Sequence, residues 1–307
     1  MPIALIAHGG AGSWRPGSEA DAVEGLREAV SRGRAILQAG GSALDAVCAT
    51  VAALEDNPNY NAGTGACLNY DGFCELDASV MESRDSRVGA VAALQRVKNP
   101  VLVARKIMEE TDHVMLAGEG AQRFARIMGF PDHDPITPAR RADWEQKRKD
   151  VDAILGKHGL KMRRFLRDHP EYAGGTVGAA AVDVNGVLAA ATSTGGVTMK
   201  MVGRVGDTPI AGAGTYASRV VAASATGTGE FVMRSLATRS ISDAMERGAT
   251  LRNAMDDVLG RLGRDFDADV GIIAVDGAGT PVALHRTRDM PHGYFAGEGE
   301  VVSRMRV

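Results

Sequence analysis

The chain has 307 residues, a formal net charge of −3 and 24% charged residues. A chain of this length buries about three quarters of its unfolded surface, so it does not need disulfides for stability. The near-neutral charge and a pI near 6.2 argue against an electrostatic nucleic-acid or membrane binder. Its 38 glycines, about 12% against a usual 7%, predict many tight turns.

Three cysteines, Cys48, Cys67 and Cys74, cannot all pair, and none lies in a Cys-x-x-Cys motif. A disulfide framework and a thiolate zinc site are therefore not expected, and a reducing compartment is. The apolar start, Ile3–Ala7, is too short for a signal peptide, and no run approaches the roughly 18 apolar residues of a membrane helix. We expect a cytoplasmic protein.

Hydrophobic spacing and turn residues predict the elements of the first half of the chain. In order, they are a strand over Ile3–Ala7, helices over Ala20–Gln38 and Ser42–Leu54, irregular backbone over Asn57–Gly65, strands over Cys74–Met81 and Val88–Leu94, and helices over Val101–Glu110 and Gly120–Met128. Ser42 with Asp45 three residues later indicates a capping box. The charged stretch Pro131–Ala173 is interpreted as a partly helical, solvated connector.

The second half is predicted to contain two hairpins with two helices between them. The predicted elements are strands over Thr176–Val184 and Val187–Thr194, helices over Glu230–Arg247 and Thr250–Leu262, and strands over Val270–Val275 and Pro281–Arg286. Asn185-Gly186 between the first two runs is the strongest short-range hairpin signal and predicts a two-residue turn. Strands separated by helix pairs suggest sheets packed between helical layers.

Several catalytic motifs are absent from this sequence, namely the Walker GxxxxGK[ST], the dinucleotide-binding GxGxxG and the metalloprotease HExxH patterns. His8-Gly9-Gly10 is similar to the oxyanion loop of esterases, but that interpretation requires a GxSxG nucleophile elbow, which the chain lacks. A serine α/β-hydrolase is therefore excluded.

Threonines in glycine-rich turns remain as candidates: Gly174–Gly178, Thr192–Gly196 and Thr226–Glu230, with Gly203–Asp207 among them. Each motif alone is most simply turn chemistry, and Arg204 with Asp207 is most simply a surface pair. The grouping of all four motifs beside one predicted hairpin weakens that simple interpretation without excluding it.

These residues resemble the plant-type asparaginase and isoaspartyl aminopeptidase family of N-terminal-nucleophile hydrolases. The resemblance covers nearly the whole chain in order, apart from the connector. It is carried by His8–Gly12, Gly40–Val47, Leu54-Glu55, Asn61–Gly63, Glu75–Ala78, Thr176–Ala179, Ala191–Gly196, Gly203–Asp207 and Thr226–Glu230. It implies an α+β fold, specifically a four-layer αββα sandwich, which agrees with the predicted element order.

In that family a precursor cleaves itself before a threonine, which then becomes an N-terminus and the nucleophile. Thr176 matches it, so cleavage after Gly175 would give an α subunit of residues 1–175, with the connector at about 131–173, and a β subunit of 176–307, together one domain. A threonine hydroxyl needs an adjacent base. A freed α-amine, with an ordinary pKa of about 7.7–8.0, provides one on the same residue. Gly174-Gly175 permits the strained backbone that exposes the scissile carbonyl.

The resemblance also assigns the other site residues. Thr194 matches a threonine hydrogen-bonded to the nucleophile, and Asn61 matches a residue near it. Arg204 and Asp207 match the pair that holds the α-carboxylate and α-amine of the substrate, and an Arg fork suits a carboxylate. The remaining catalytic and substrate-binding positions, with the oxyanion contacts first, are Thr226, Gly227, Thr228, Gly229, Val205 and Gly206.

The implied reaction is hydrolysis of L-asparagine to L-aspartate and ammonia, and of β-aspartyl dipeptides, through an acyl-enzyme on Thr176. No catalytic cofactor is implied, and the implied partners are the small-molecule substrate and a second αβ heterodimer, with no nucleic acid and no membrane. A structural sodium ion is implied on backbone carbonyls of Leu54, Glu55, Asn57, Tyr60, Ala62 and Thr64.

Two alternatives stay open. One is glycosylasparaginase, which shares the mechanism but usually carries Asp where this chain has Thr228, and the other is a non-catalytic, unprocessed homologue. Three positions depart from the family pattern: Gly174, where many relatives have His, Val270 in a usual Gly-Gly pair, and Arg288 at the rim of the site. These departures leave the processing rate and the leaving-group preference open.

Overall fold

A computed structural model describes residues 2–14, 17–155 and 175–307. The described strands are β1 Ala4–His8, β2 Leu76–Glu82, β3 Arg87–Leu94, β4 Met115–Ala117, β5 Val177–Val182, β6 Leu188–Thr194, β7 Thr215–Ala217, β8 Val221–Gly227, β9 Val270–Asp276, β10 Pro281–His285, β11 His292–Ala296 and β12 Val302–Arg304. The described helices are α1 Glu19–Gln38, α2 Ala43–Asp56, α3 Pro100–Glu110, α4 Gly118–Ile127, α5 Pro138–Leu155, α6 Gly229–Ser235, α7 Ala237–Glu246 and α8 Leu251–Phe266. Gly174 and the later part of the predicted connector lie outside the described residues.

The capping box predicted at the start of α2 is confirmed. Ser42 Oγ accepts the amide N–H of Asp45 at 3.0 Å and donates to the Asp45 carboxylate at 2.6 Å. This satisfies one of the amides that a helix start leaves without a partner. The connector is helical over Pro138–Leu155, as predicted for part of it.

The first predicted hairpin is present, but the predicted two-residue turn is wrong. The amide of Asp183 donates to the carbonyl of Val187 at 3.1 Å, so the loop is the three residues Val184–Gly186. The Asp183 carboxylate accepts the amides of Asn185 at 2.9 Å and Val187 at 3.1 Å. Gly186 takes the positive φ of 75° that such a longer turn requires. The Asp183 side chain therefore selects the longer loop.

Two further predictions for the second half need correction. The helix predicted over Glu230–Arg247 is interrupted at Leu236, whose φ of 46° and ψ of 53° are left-handed, so α6 and α7 are separate helices. The sequence pattern also predicts no strand before them, whereas β7 and β8 lie there. Strand β8 is buried on both faces and therefore lacks the alternation that marks a strand in the sequence.

The strands form two sheets. The eight-stranded sheet has the order β12-β11-β1-β5-β6-β2-β3-β4, and the four-stranded sheet has the order β10-β9-β8-β7. In the first, β5 pairs antiparallel with both β1 and β6, and β2 pairs antiparallel with β6. The second predicted hairpin is confirmed as β9 and β10.

Helices α1, α2 and α3 pack on the eight-stranded sheet, while α7 and α8 pack on the four-stranded sheet. The two sheets contact each other through small and aliphatic side chains, among them Ala180, Ala190 and Ala222. These small residues let the strands approach closely: a Cβ on Gly178 would lie 2.0 Å from Ser224 Oγ. The chain is thus a mixed α and β structure with two sheets. Among the described helices, none has the length and apolar character of a membrane span.

Candidate active site

Thr176 lies immediately before β5 and is 7% exposed. Its hydroxyl donates to Thr194 Oγ1 at 3.2 Å, and Thr194 Oγ1 donates in turn to the carbonyl oxygen of Gly175 at 2.9 Å. Thr194 ends β6, the antiparallel neighbour of β5, so the start of one strand and the end of the other meet at one edge of the sheet. The predicted contact between Thr176 and Thr194 is therefore present in the structure.

Asn61 holds the same carbonyl from a second direction. Its Nδ2 donates to the carbonyls of Gly175 and Gly196, both at 2.7 Å. Its Oδ1 accepts the amide of Cys67 at 2.7 Å, which fixes the orientation of the side-chain amide. The Gly175 carbonyl thus accepts hydrogen bonds from Thr194 and Asn61, two donors that polarise it toward attack.

The charged pair predicted to hold the substrate lies on the loop between β6 and β7. Arg204 donates from Nε and Nη2 to Glu230 Oε1 at 3.0 and 2.9 Å. Asp207 is 5% exposed, and its Oδ2 has no hydrogen-bond partner among the described residues. Burial raises the pKa of Asp207 to about 7, opposed by the positive charge of Arg204 and reinforced by the negative charges of Glu230 and Asp77. A buried carboxyl with a free oxygen is suited to receive a cation.

These groups meet around one small pocket of about 10 Å³, roughly the room that one water molecule needs. Its walls are Thr176, Thr194, Gly196, Val197, Arg204, Gly206, Asp207 and Gly227. Gly196 and Val197 had no predicted role of their own. The Thr-Gly-Gly turn is the sequence signal that could have indicated Gly196. In the structure the φ of Gly196 is 81°, and a Cβ there would lie 3.3 Å from Arg204 Nη1.

The remaining predicted substrate positions are arranged less directly. A Cβ on Gly229 would lie 2.6 Å from Asp207 Oδ1, so glycine is needed beside that carboxyl. Thr226 Oγ1 accepts the amide of Ala11 at 3.1 Å, and the amide of Thr228 donates to the carbonyl of Asp269 at 2.9 Å. The walls of the pocket, as far as the described residues form them, do not include Val205, Thr226, Thr228 or Gly229.

His8 is a buried neighbour of the site whose contacts the sequence did not indicate. Its Nε2 lies 3.0 Å from Ser224 Oγ, which lies 2.7 Å from Thr192 Oγ1. Thr215 Oγ1 donates to Thr192 Oγ1 at 2.6 Å. Burial lowers the pKa of His8 to about 3, so its ring is neutral at ordinary pH. The interior near Thr176 therefore contains neutral hydroxyl and imidazole groups.

The loop predicted to hold a sodium ion has carbonyls of two kinds. Those of Leu54 and Glu55 accept the amides of Asn57 and Thr64, at 3.2 and 2.8 Å, and that of Asn57 accepts the amide of Tyr60 at 3.2 Å. Within residues 2–14, 17–155 and 175–307, no donor reaches the carbonyls of Tyr60, Ala62 and Thr64. Carbonyl oxygens are hard ligands of the kind that alkali cations prefer.

A larger cavity of about 600 Å³ adjoins the other side of Gly175. It is lined by residues including Trp14, Asn61 and Arg140, but by neither Arg204 nor Asp207. The smaller pocket brings Thr176 together with Arg204 and Asp207, the residues predicted to react with and to hold the substrate, and is therefore the candidate active site.

Residues 1–303 match the protein family described as Asparaginase. The chain is 45% identical over 295 residues to the plant-type L-asparaginase of Pyrococcus abyssi, covering 95% of this chain and 96% of the relative. It is 46% identical to the plant-type L-asparaginase of Thermococcus kodakarensis, with 95% and 96% covered. It is 39% identical to the isoaspartyl peptidase/L-asparaginase of Homo sapiens, with 94% and 92% covered. The chain belongs to this asparaginase family, which confirms the predicted resemblance.

Proposed function

We propose that this protein hydrolyses the side-chain amide of L-asparagine and β-aspartyl dipeptides, with Thr176 as an N-terminal nucleophile. The observation that carries the proposal is the single pocket shared by Thr176, Thr194, Arg204 and Asp207. The names of the relatives, L-asparaginase and isoaspartyl peptidase, support the same substrates.

The first step in the proposal is cleavage of the chain itself. Thr176 Oγ1 attacks the carbonyl carbon of Gly175, and the carbonyl oxygen gains negative charge that Asn61 and Thr194 stabilise. The C–N bond then breaks, the nitrogen of Thr176 takes the hydroxyl proton, and an ester remains on Oγ1. Water hydrolyses this ester. The products are a Gly175 carboxylate and a free α-amine on Thr176.

The same atoms then act on the substrate. The freed α-amine takes the proton from Thr176 Oγ1, whose oxygen attacks the side-chain amide carbon. The tetrahedral oxyanion is assigned to Thr226 and Gly227, of which Gly227 lines the pocket. Ammonia, or the amine of a dipeptide, leaves with a proton. Water then hydrolyses the aspartyl ester and restores the hydroxyl.

Binding of the amino-acid end is assigned to the charged pair. Arg204 holds the α-carboxylate through its fork of N–H donors, and Asp207 accepts the α-ammonium with its unpartnered oxygen. The pocket of about 10 Å³ is too small for asparagine while Gly175 remains bonded to Thr176. Cleavage of the bond between Gly175 and Thr176 creates the base.

The proposal extends to three structural features. The helices and the two sheets stack as a four-layer αββα sandwich, and two αβ heterodimers associate as a dimer. The carbonyls of Tyr60, Ala62 and Thr64 would hold a sodium ion, which would fix the loop that carries Asn61. Thr176 and Asn61 perform the reaction without it.

A gel and an assay test the proposal together. Purified protein should run on a denaturing gel as two bands, residues 1–175 and 176–307, and should release ammonia from L-asparagine. Steady-state kinetics on L-asparagine and one β-aspartyl dipeptide then rank the two substrates. A single uncut band without activity would instead support the unprocessed homologue.

A further inference from the structure

The motif Glu75-Leu76-Asp77-Ala78 has no part in the mechanism above, yet it contains two buried carboxylates. Glu75 is 3% exposed and Asp77 is 0% exposed. Buried carboxylates are costly unless they are hydrogen-bonded, so their partners indicate what they do. Each carboxylate has one partner on the loop Lys200–Asp207, called here the clamp loop, which carries Arg204 and Asp207.

Asp77 connects the clamp loop to the nucleophile. Its Oδ2 accepts the amide of Gly206 at 3.2 Å, and its Oδ1 accepts the amide of Ala93 at 2.9 Å. Along β2, Asp77 is also the register partner of Thr194 on β6. One residue therefore sets the distance between Thr194, which contacts Thr176, and Gly206 in the clamp loop.

Glu75 holds the other end of the clamp loop. Its carboxylate oxygens accept the amide of Gly203 at 3.0 and 3.1 Å and the side-chain amide of Asn69 at 3.0 Å. Its backbone carbonyl accepts Nζ of Lys200 at 2.8 Å, and Lys200 is 2% exposed. The amides held by Glu75 and Asp77 thus lie on both sides of Arg204.

We infer that Glu75 and Asp77 are positioning residues that hold the clamp loop, so that Arg204 and Asp207 face Thr176. The inference rests on the proposed function, since it assigns how the substrate's amino-acid end is aligned with the nucleophile. Neither carboxylate lines the pocket of Thr176. Glu75 acts through the amide of Gly203, which precedes Arg204, and Asp77 acts through the amide of Gly206, which precedes Asp207.

Asp77→Asn is the test, because asparagine offers one acceptor oxygen where aspartate offers two. One of the amides of Gly206 and Ala93 then faces an NH₂ group and loses its partner. We expect normal cleavage at Thr176, a KM for L-asparagine raised about tenfold, and a kcat within about twofold of wild type, as for loss of a charge-assisted hydrogen bond. The inhibition constant of L-aspartate should rise by the same factor.

Asp183→Asn is the matched control. Asp183 is a 1% exposed carboxylate that accepts the amides of Ala43 at 3.1 Å and Asn185 at 2.9 Å, at the end of β5 away from Thr176. It should lower the Tm as Asp77→Asn does and leave KM unchanged. If both variants lower kcat or Tm and neither raises KM, the carboxylates only stabilise the fold and the inference is overturned.

Glu75→Gln decides the case if Asp77→Asn does not fold, because it leaves Asp77 and its two amides in place. A raised KM with kept kcat supports the inference, and a wild-type KM overturns it. The wild-type protein assayed in parallel separates the two hypotheses. If wild type releases no ammonia, the proposed function fails, whereas an active wild type with unaffected variants defeats only the positioning role.

Discussion

The two halves of the candidate site are built from different chemistry. Around Thr176, the contacts join neutral groups: the hydroxyl of Thr194, the amide of Asn61 and the carbonyl of Gly175. Around Asp207, the groups are ionisable, with Arg204 paired to Glu230. The neutral region, formed by Thr176 and Thr194, lies at the ends of paired strands. The charged region, formed by Arg204 and Asp207, lies on a loop that side chains hold.

This difference predicts two kinds of failure. Sheet register fixes the neutral region, and the proposed function assigns the formation and stabilisation of covalent bonds to its groups. Substitutions there should therefore abolish nearly all activity. The charged region contributes binding, and loss of a charge-assisted hydrogen bond costs about 1.5–3 kcal/mol, so damage there should be graded. The variants below test that contrast.

The largest effect is expected for Thr176→Ala, which removes the hydroxyl that both cleavage and turnover need. The variant should run as one uncut band and release no measurable ammonia from L-asparagine. Thr176→Ser is the matched control, since it keeps a hydroxyl at the same atom position and should still cleave. The gel and an ammonia assay measure both outcomes.

A Thr176→Ala protein that is still cut and active would show that Thr176 is not the nucleophile. The hydroxyl of Thr194, 3.2 Å away, would then be the next candidate.

A graded loss is expected for Arg204→Ala. The variant should be cleaved normally, because the described hydrogen bonds of the Arg204 side chain go to Glu230 and not to Gly175 or Asn61. The kcat/KM for L-asparagine should nevertheless fall about ten- to hundred-fold. Arg261→Ala is the control, since Arg261 is 47% exposed and, among the residues that the structure describes, forms its ion pair with Asp257 along α8. Steady-state kinetics measure both. A wild-type kcat/KM in Arg204→Ala would show that Arg204 does not bind the substrate.

The pH dependence sharpens the same region. Asp207 must be ionised to accept the α-ammonium, and its pKa is raised to about 7. As the pH falls through 7, Asp207 takes a proton and becomes neutral, so kcat/KM for L-asparagine should fall. The charges facing Asp207 are those of Arg204, Glu230 and Asp77.

Glu230→Gln removes one of the two negative charges that raise this pKa, and it also frees Arg204 to act on Asp207. The acid limb of the kcat/KM profile should therefore move to lower pH. The α-amine of Thr176 titrates in both proteins, so the difference between the two curves isolates Asp207. Identical acid limbs would mean that another group limits binding.

Much of the neutral region could be predicted from the sequence because local signals mark it. The Asn-Gly dipeptide placed Thr176 and Thr194 on one hairpin, although Asp183 lengthened the turn by one residue. The capping residue Ser42 and the irregular loop at Asn57–Gly65 were similarly visible, because turn and cap chemistry is local.

The charged region could be predicted only in part. The sequence identified Arg204 and Asp207 through the family resemblance, but not the carboxylates that hold their loop. The contact of Gly206 with Asp77 spans a long sequence separation and depends on the register of β2 with β6. Strand β8 was missed for a related reason, since burial on both faces removes its alternating pattern.

The smallest effect on activity is expected from the ion proposed for the loop at Tyr60–Thr64. This loop carries Asn61, which belongs with the neutral groups around Thr176. Its ligands would be carbonyl oxygens, which hold alkali ions and bind zinc poorly. Dialysis against EDTA should therefore leave kcat unchanged. Replacing sodium by tetramethylammonium should lower the Tm by a few degrees, because a ligand that binds only the folded state stabilises it by mass action.

Gly63→Ala shows what the loop itself contributes. The φ of Gly63 is 51°, and a Cβ there would lie 2.6 Å from the carbonyl oxygen of Lys98 and 2.7 Å from that of Glu55. The loop must shift to relieve these contacts, and Asn61 shifts with it, so cleavage at Thr176 should slow while sodium no longer changes the Tm. Loss of activity in EDTA that zinc restores would contradict this view, because it would place a divalent ion in the reaction instead of a monovalent ion in the loop.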